Sequence, residues 1–217
     1  MIIVSAHTHL LMITVGLALM VLLSRNGSAE PVSEAIALLE KGKTAERRQA
    51  VLTLARIGDQ RAAQPLAKAM HDADRMVRET SAQALWQVWH RSGDAEVDRR
   101  LQAGIDAMNR RALDEAVNIF SEVIAMAPDF AEGYNKRATV YYMQERYEES
   151  LEDCEKTLDL NPIHFGALSG SGLVYLGLRN PVKALELFKR AIAVNPNMPQ
   201  VRQNIEDVTR YLRDQTT

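Results

Sequence analysis

Cysteine, aromatic side chains and strand-like alternation are all scarce in this chain. Its 217 residues include one cysteine, Cys154, so neither an internal disulfide nor a multi-cysteine metal site can form. Aromatics make up 6% of the residues. The five histidines, His7, His9, His71, His90 and His164, are never four apart on a helical pattern, which excludes the paired-histidine metal motif. A formal net charge of −2 argues against a surface built to neutralise a nucleic-acid backbone, and no nucleic-acid partner is expected. No stretch alternates apolar and polar residues as a half-buried strand does. Alanine, leucine, glutamate and arginine recur instead at helical spacing, so the expected fold class is all-α.

Fixed charge is missing altogether from Ile2 to Ser24, where only His7 and His9 can titrate. The apolar centre, Leu10 to Leu23, has the length of the hydrophobic region of a secretory signal, and Gly27-Ser28-Ala29 would permit cleavage after Ala29. No Lys or Arg precedes it, however, and the uncharged stretch is also long enough to span a bilayer of about 30 Å as an uncleaved helix. Residues 1–29 therefore read as a signal peptide or as an N-terminal membrane anchor. Either reading places the rest of the chain outside the cytoplasm or at a membrane, with a bacterial periplasm as the first expectation.

Proline supplies the internal period. Pro128, Pro162 and Pro196 are spaced 34 residues apart, and each follows an apolar helix end. Proline cannot continue a helix, so each marks where a second helix stops. The same frame aligns Gly104, Ala138 and Gly172 as small residues. It also aligns Ala116, Ser150 and Ala184, each followed four residues on by Phe120, Cys154 or Phe188. A small residue lets two helices approach, and the larger one fills the adjoining gap.

From about Val97 to Asn197 the sequence thus closely resembles the tetratricopeptide repeat (TPR), in three copies without a gap. The second copy departs from the family at Arg137, Cys154 and Thr157, and the first has Arg100 where an aromatic is usual. Gln200 to Arg213 reads as a polar-faced helix capping the array. Upstream, Arg47–Ile57 and Arg78–Val88 compare at an offset of 31, and Ile57–Leu66 looks like the turn and next helix of a HEAT-like repeat. The expected architecture is an α-solenoid: two HEAT-like pairs over residues 30–93, then three TPR pairs and a capping helix over 94–217. Two HEAT-like pairs are too few to stand alone, so they should stack on the TPR array and bury Trp86 and Trp89. The runs Pro128–Ala138, Tyr147–Leu151 and Phe165–Gly170 resemble a group of small bacterial exported TPR proteins, a likeness that implies export but no activity.

No combination of acid, base, nucleophile and oxyanion donors is visible, so the chain is read as a non-enzyme that needs no cofactor or metal. Cys154 occupies a core position of a second helix. The glycine-rich run Gly166–Gly172 lacks the lysine and preceding strand of a phosphate loop. Close packing accounts for Gly172. It leaves unexplained Gly166 and Gly170, each costing about 1 kcal/mol against alanine in a helix. Glu145, Glu148, Glu149, Glu152, Asp153, Glu155 and Asp159 are read as a solvated acidic face.

The resemblance implies that the first helices line a concave face. Its inward positions are Leu101, Ile105, Met108 and Asn109; then Asn135, Lys136, Thr139, Tyr142 and Met143; then Gly166, Ser169, Gly170, Leu173 and Leu176. Such a groove suits a protein or peptide partner docked by apolar anchors. Some family members clamp a C-terminal carboxylate with basic and amide side chains. Here the corresponding positions hold Leu101, Ile105, Lys136, Gly166 and Gly170, of which one is basic. The leading expectation is an interaction scaffold or assembly factor. The alternative is a membrane-anchored tether that oligomerises through its repeats.

Overall fold

The structure, a computed structural model, describes residues 31–215. The expected signal or anchor therefore lies outside the described residues. Eleven α-helices follow one another and no strand occurs among the described residues. The upstream unit contains α1 (Pro31–Lys41), α2 (Thr44–Ile57), a 3-10 turn at Gln60–Ala62, α3 (Ala63–Ala69) and α4 (Arg75–Trp89). The array continues with α5 (Ala95–Asn109) and α6 (Leu113–Met126), α7 (Ala131–Met143) and α8 (Tyr147–Leu160), and α9 (Phe165–Gly177) and α10 (Pro181–Val194). It closes with α11 (Pro199–Asp214). No helix among the described residues is long and apolar enough to cross a membrane.

Local chemistry sets the helix ends. Asp74 starts α4 by accepting from Val77 N–H, and Asp94 starts α5 by accepting from Glu96 and Val97 N–H. Between them Gly93 takes φ +92° with open space around it, a left-handed turn that glycine adopts freely. Pro181 and Pro199 stand in the first turns of α10 and α11, where a missing N–H costs nothing. Pro128, Pro162 and Pro196 each stand two residues beyond the end of α6, α8 or α10.

Packing follows the small-and-large frame. A Cβ on Gly104 would lie 2.4 Å from the Phe120 ring, and one on Gly172 would lie 2.5 Å from the Phe188 ring. In the second repeat the larger residue shrinks to Cys154, and the small one grows to Ala138. Ala116, Ser150 and Ala184 are buried, and Ser150 Oγ donates to the Ala138 carbonyl at 2.8 Å. Arg137 makes a two-pronged ion pair with Asp153 at 2.7 and 2.8 Å and donates to Ser121 Oγ at 3.0 Å. Asp153 is thus buried and paired, and does not belong to the solvated acidic face expected of α8. Guanidinium geometry favours this fork, which ties α7 to both α6 and α8.

The upstream unit is braced by two further arginine forks. Arg47 holds Asp72 at 2.8 and 2.9 Å, and Arg48 holds Asp74 at 2.9 and 2.5 Å, linking α2 to the α3–α4 turn. Its core, built on Val51, Leu54, Leu66, Met70, Leu85 and Val88, also contains Phe165 of α9 and is flanked by Ile163, Val194 and Met198. The upstream core therefore extends into the array at Phe165, while the repeats keep cores of their own. The upstream unit rests against the inter-repeat turns and first helical turns of the second and third repeats. Trp89 is buried there as expected, whereas Trp86 is only half-buried.

Candidate functional site

The contact between the two units centres on Glu132, a carboxylate in the first turn of α7 that is 1% exposed. Its Oε2 accepts from His164 Nε2 at 2.9 Å and from Asn135 Nδ2 at 3.2 Å. Its Oε1 lies 3.1 Å from Lys136 Nζ and 3.5 Å from His90 Nε2. His164 is fully buried and caps α9, with Nδ1 accepting from the Ala167 N–H at 3.0 Å. That acceptor role puts the ring hydrogen on Nε2, where it points at Glu132. Burial pushes the Glu132 carboxyl upward in pKa. The His164 hydrogen bond, with electrostatic attraction from Lys136, His164 and His90, more than offsets that and holds it down at about 2. Glu132 is therefore an anion in the protein interior, kept there by groups from both units.

Aromatic packing completes the contact. Trp89 stacks on His164 with centroids 4.3 Å apart, and Trp86 meets His164 and Phe165 edge-on at 5.4 and 5.2 Å. Lys136 Nζ lies 5.4 Å from the Trp86 ring centroid. Gly166 now has a reason: a Cβ there would lie 2.5 Å from Cη2 of Trp86. The helix cost of this glycine is the cost of admitting a tryptophan from the other unit.

These contacts change the expected groove. Leu101 is 2% exposed in the core of the first repeat, and Asn135 is 6% exposed beneath Glu132, so neither lines an open surface. Lys136, the one basic position of the carboxylate-clamp set, is already committed to Glu132 and Trp86. Ile105 and Met108 are half-buried against the first-repeat core. Thr139 is exposed, with its hydroxyl donating to the Asn135 carbonyl at 2.9 Å. Tyr142 is exposed and Met143 half-buried. Ser169 is half-buried, and Leu173 and Leu176 pack against the α11 cluster with one side open. The first helices α5, α7 and α9 neighbour one another in series.

Sequence reasoning passed over Glu132, His90 and His164, because their partners lie on another repeat or another unit. Gly166 was the one available signal. Cys154 is buried and free, and burial raises its thiol to about 11. It stays protonated near neutrality and offers no nucleophile. Among the described residues no group of three or more His, Cys, Asp or Glu side chains is placed to hold a metal ion.

Comparison with known proteins fits this geometry. A family model for HEAT repeats matches residues 16–86 and again 32–127, together just over half of the chain. A tetratricopeptide-repeat model matches residues 131–164, the α7–α8 pair with its turns. A TPR repeat-containing protein of Rhizobium etli is 32% identical over 108 residues, covering 50% of this chain and 53% of that protein. Hsp70-Hsp90 organizing protein 1 of Glycine max is 32% identical over 124 residues, covering 55% of this chain and 22% of that protein. The chain thus spans about half of the bacterial relative and about a fifth of the plant one.

Among solved structures, the Sgt2 TPR domain from Aspergillus fumigatus superposes with a TM-score of 0.54 at 22% identity, covering 57% of this chain and 83% of that one. The first TPR of Spaghetti bound to an HSP90 peptide superposes at 0.53 and 18% identity, covering 55% and 96%. The second HEAT match runs through α5 and α6, which is unsurprising, because both repeat types are antiparallel helix pairs. The Gly104–Phe120 packing and the 34-residue period place that pair with the array downstream. The chain is a tetratricopeptide-repeat protein that also belongs to the HEAT-repeat family through its upstream half.

Proposed function

We propose that this protein is a non-enzymatic interaction scaffold that holds a polypeptide segment along the layer of first helices. The carrying observation is that the exposed Tyr142 and the half-buried Met108, Met143 and Leu173 lie on the neighbouring first helices of three successive repeats, with Thr139 exposed on the middle one. Similar TPR proteins support it: one related domain is described bound to an HSP90 peptide and another in complex with Hsp70. Their ligand is not carried over to this chain. A chain-terminal carboxylate would need free cations, and Lys136 is occupied.

The proposal extends to place. The uncharged segment 2–24 would export the chain to a bacterial periplasm or hold it at a membrane.

Cross-linking followed by affinity purification and mass spectrometry identifies the partner. Tyr142→Glu and Leu173→Glu should then abolish its recovery. Because Leu173 supports α11, Thr139→Arg at an exposed position serves as the second groove variant, and helical circular dichroism must be unchanged. Recovery equal to wild type with all three would reject the groove. Mass spectrometry of the mature N-terminus addresses place: a chain beginning after Ala29 supports export, and an intact membrane-bound chain favours the tether.

A further inference from the structure

The upstream unit closes part of the groove and, in doing so, builds a second wall. A cleft of about 590 Å³ lies between α4 on one side and α9 and α11 on the other. Trp86 and Gly166 meet at its base, Met198 and Pro199 add apolar surface, and Gln83 and Gln200 stand exposed among its lining. Its one charged lining side chain, Glu79, already accepts from Arg75 Nε at 2.7 Å. The cleft shares Gly166 and Ser169 with the layer of first helices, so it continues the proposed groove.

We propose that this cleft is a composite peptide site in which HEAT helix α4 supplies half the surface. Its occupant is an uncharged segment of a partner polypeptide carrying one large apolar side chain against Trp86. This rests on the groove reading above and deepens it. Three observations select that chemistry. The lining offers amides and a hydroxyl, which pair with a peptide backbone, and no unpaired charge that would reward an acidic or basic ligand. Trp86 is only half-buried although four rings, those of Trp89, His90, His164 and Phe165, pack on it, which leaves an aromatic surface for an apolar anchor. The cation beside the cleft's Glu79, Arg75, is held by that carboxylate, and Lys136 over Trp86 is held by Glu132, so a terminal carboxylate gains nothing there.

The test uses the full chain and a display library of random peptides of about twelve residues, roughly 40 Å when extended, fused at both ends so that no terminus is free. Enriched peptides should be uncharged around one large apolar residue and should shift the tryptophan emission to the blue. Trp86→Ala, Gln83→Arg and Gln200→Arg should each weaken them about tenfold, while Trp86→Phe keeps most of the affinity. Gln83 and Gln200 are exposed, so these two variants should melt like wild type, which keeps the test valid if Trp86→Ala unfolds.

Peptides that bind the Gln83→Arg and Gln200→Arg chains like wild type overturn the cleft. If those peptides lose affinity on Thr139→Arg, the groove reading survives alone. Loss on the cleft variants but not on Thr139→Arg supports the cleft and removes the groove. A library that yields no binder, or one enriched only in charged peptides, overturns the proposal.

Discussion

Gly166 and Gly170 stand one helical turn apart on α9 and answer to different neighbours. A Cβ at Gly166 runs into the Trp86 indole at 2.5 Å, whereas one at Gly170 meets only Cys154 Sγ at 3.9 Å, an ordinary contact. Overpacking against a held ring costs about 1–3 kcal/mol, and alanine returns about 1 kcal/mol of helix propensity. Gly166→Ala should therefore lower stability by up to about 2 kcal/mol, and Gly170→Ala should raise it by about 0.5–1 kcal/mol. Urea titrations of the two variants read the difference, and equal signs would show that Trp86 does not hold its place. Cys154 makes a second residue-scale claim. With its thiol buried and raised to about 11, it should resist a thiol reagent at pH 8 in the native chain and react at once in denaturant. Fast native labelling would mean that the second repeat opens locally.

At the scale of the element, each first helix of the array ends in the same way. Arg111, Glu145 and Arg179 take φ +62°, +58° and +56°, and they are spaced by the repeat length. The next residue closes a wide turn each time: Ala112 N–H to Ala107 O, Arg146 N–H to Tyr141 O and Asn180 N–H to Tyr175 O. This is the Schellman arrangement, which normally uses glycine at its left-handed position. A side chain there costs about 1–2 kcal/mol, so Arg111→Gly, Glu145→Gly and Arg179→Gly should each stabilise by up to about 1 kcal/mol once the freer unfolded glycine is counted. Thermal melts of the single and triple variants would show it, and a triple variant no more stable than wild type would refute it.

These turns mark the limit of legibility. The prolines and the small-and-large pairs expose the helix pairs, because they act within one repeat at fixed spacing. The left-handed residues carry no glycine to announce them. The groove was legible only in part. Inward-facing positions follow from the helical period, but the burial of Leu101 and Asn135 and the capture of Lys136 depend on side chains from elsewhere in the fold. No local pattern shows that Trp86 will lie on Gly166, 80 residues downstream.

For the whole molecule, the carboxylates that brace the upstream unit and its dock set an acid limit. Asp74 is held at about 2 by the Arg48 hydrogen bonds, and Asp72 is lowered by Arg47. Glu132 is held at about 2 at the dock itself. Each binds protons more readily when unfolded, near pH 4, than when folded. Their contribution to stability is therefore complete above about pH 4.5 and is lost as the pH falls toward 2. The array's repeat cores, built on Phe120, Phe188 and their small partners, contain no such carboxylate apart from the Arg137–Asp153 fork. Acid should thus release the upstream unit before the TPR helices melt. Both tryptophans of the chain, Trp86 and Trp89, sit at the dock and report on it directly. On acidification their emission should redden at a higher pH than the one at which helical circular dichroism falls. Glu132→Gln leaves His164 and Lys136 without their anion, at a cost of roughly 3–5 kcal/mol, and should move the fluorescence transition toward neutral pH while the second transition stays in place. Coincident transitions in both proteins would mean that the units unfold as one body and that Glu132 is no latch between them.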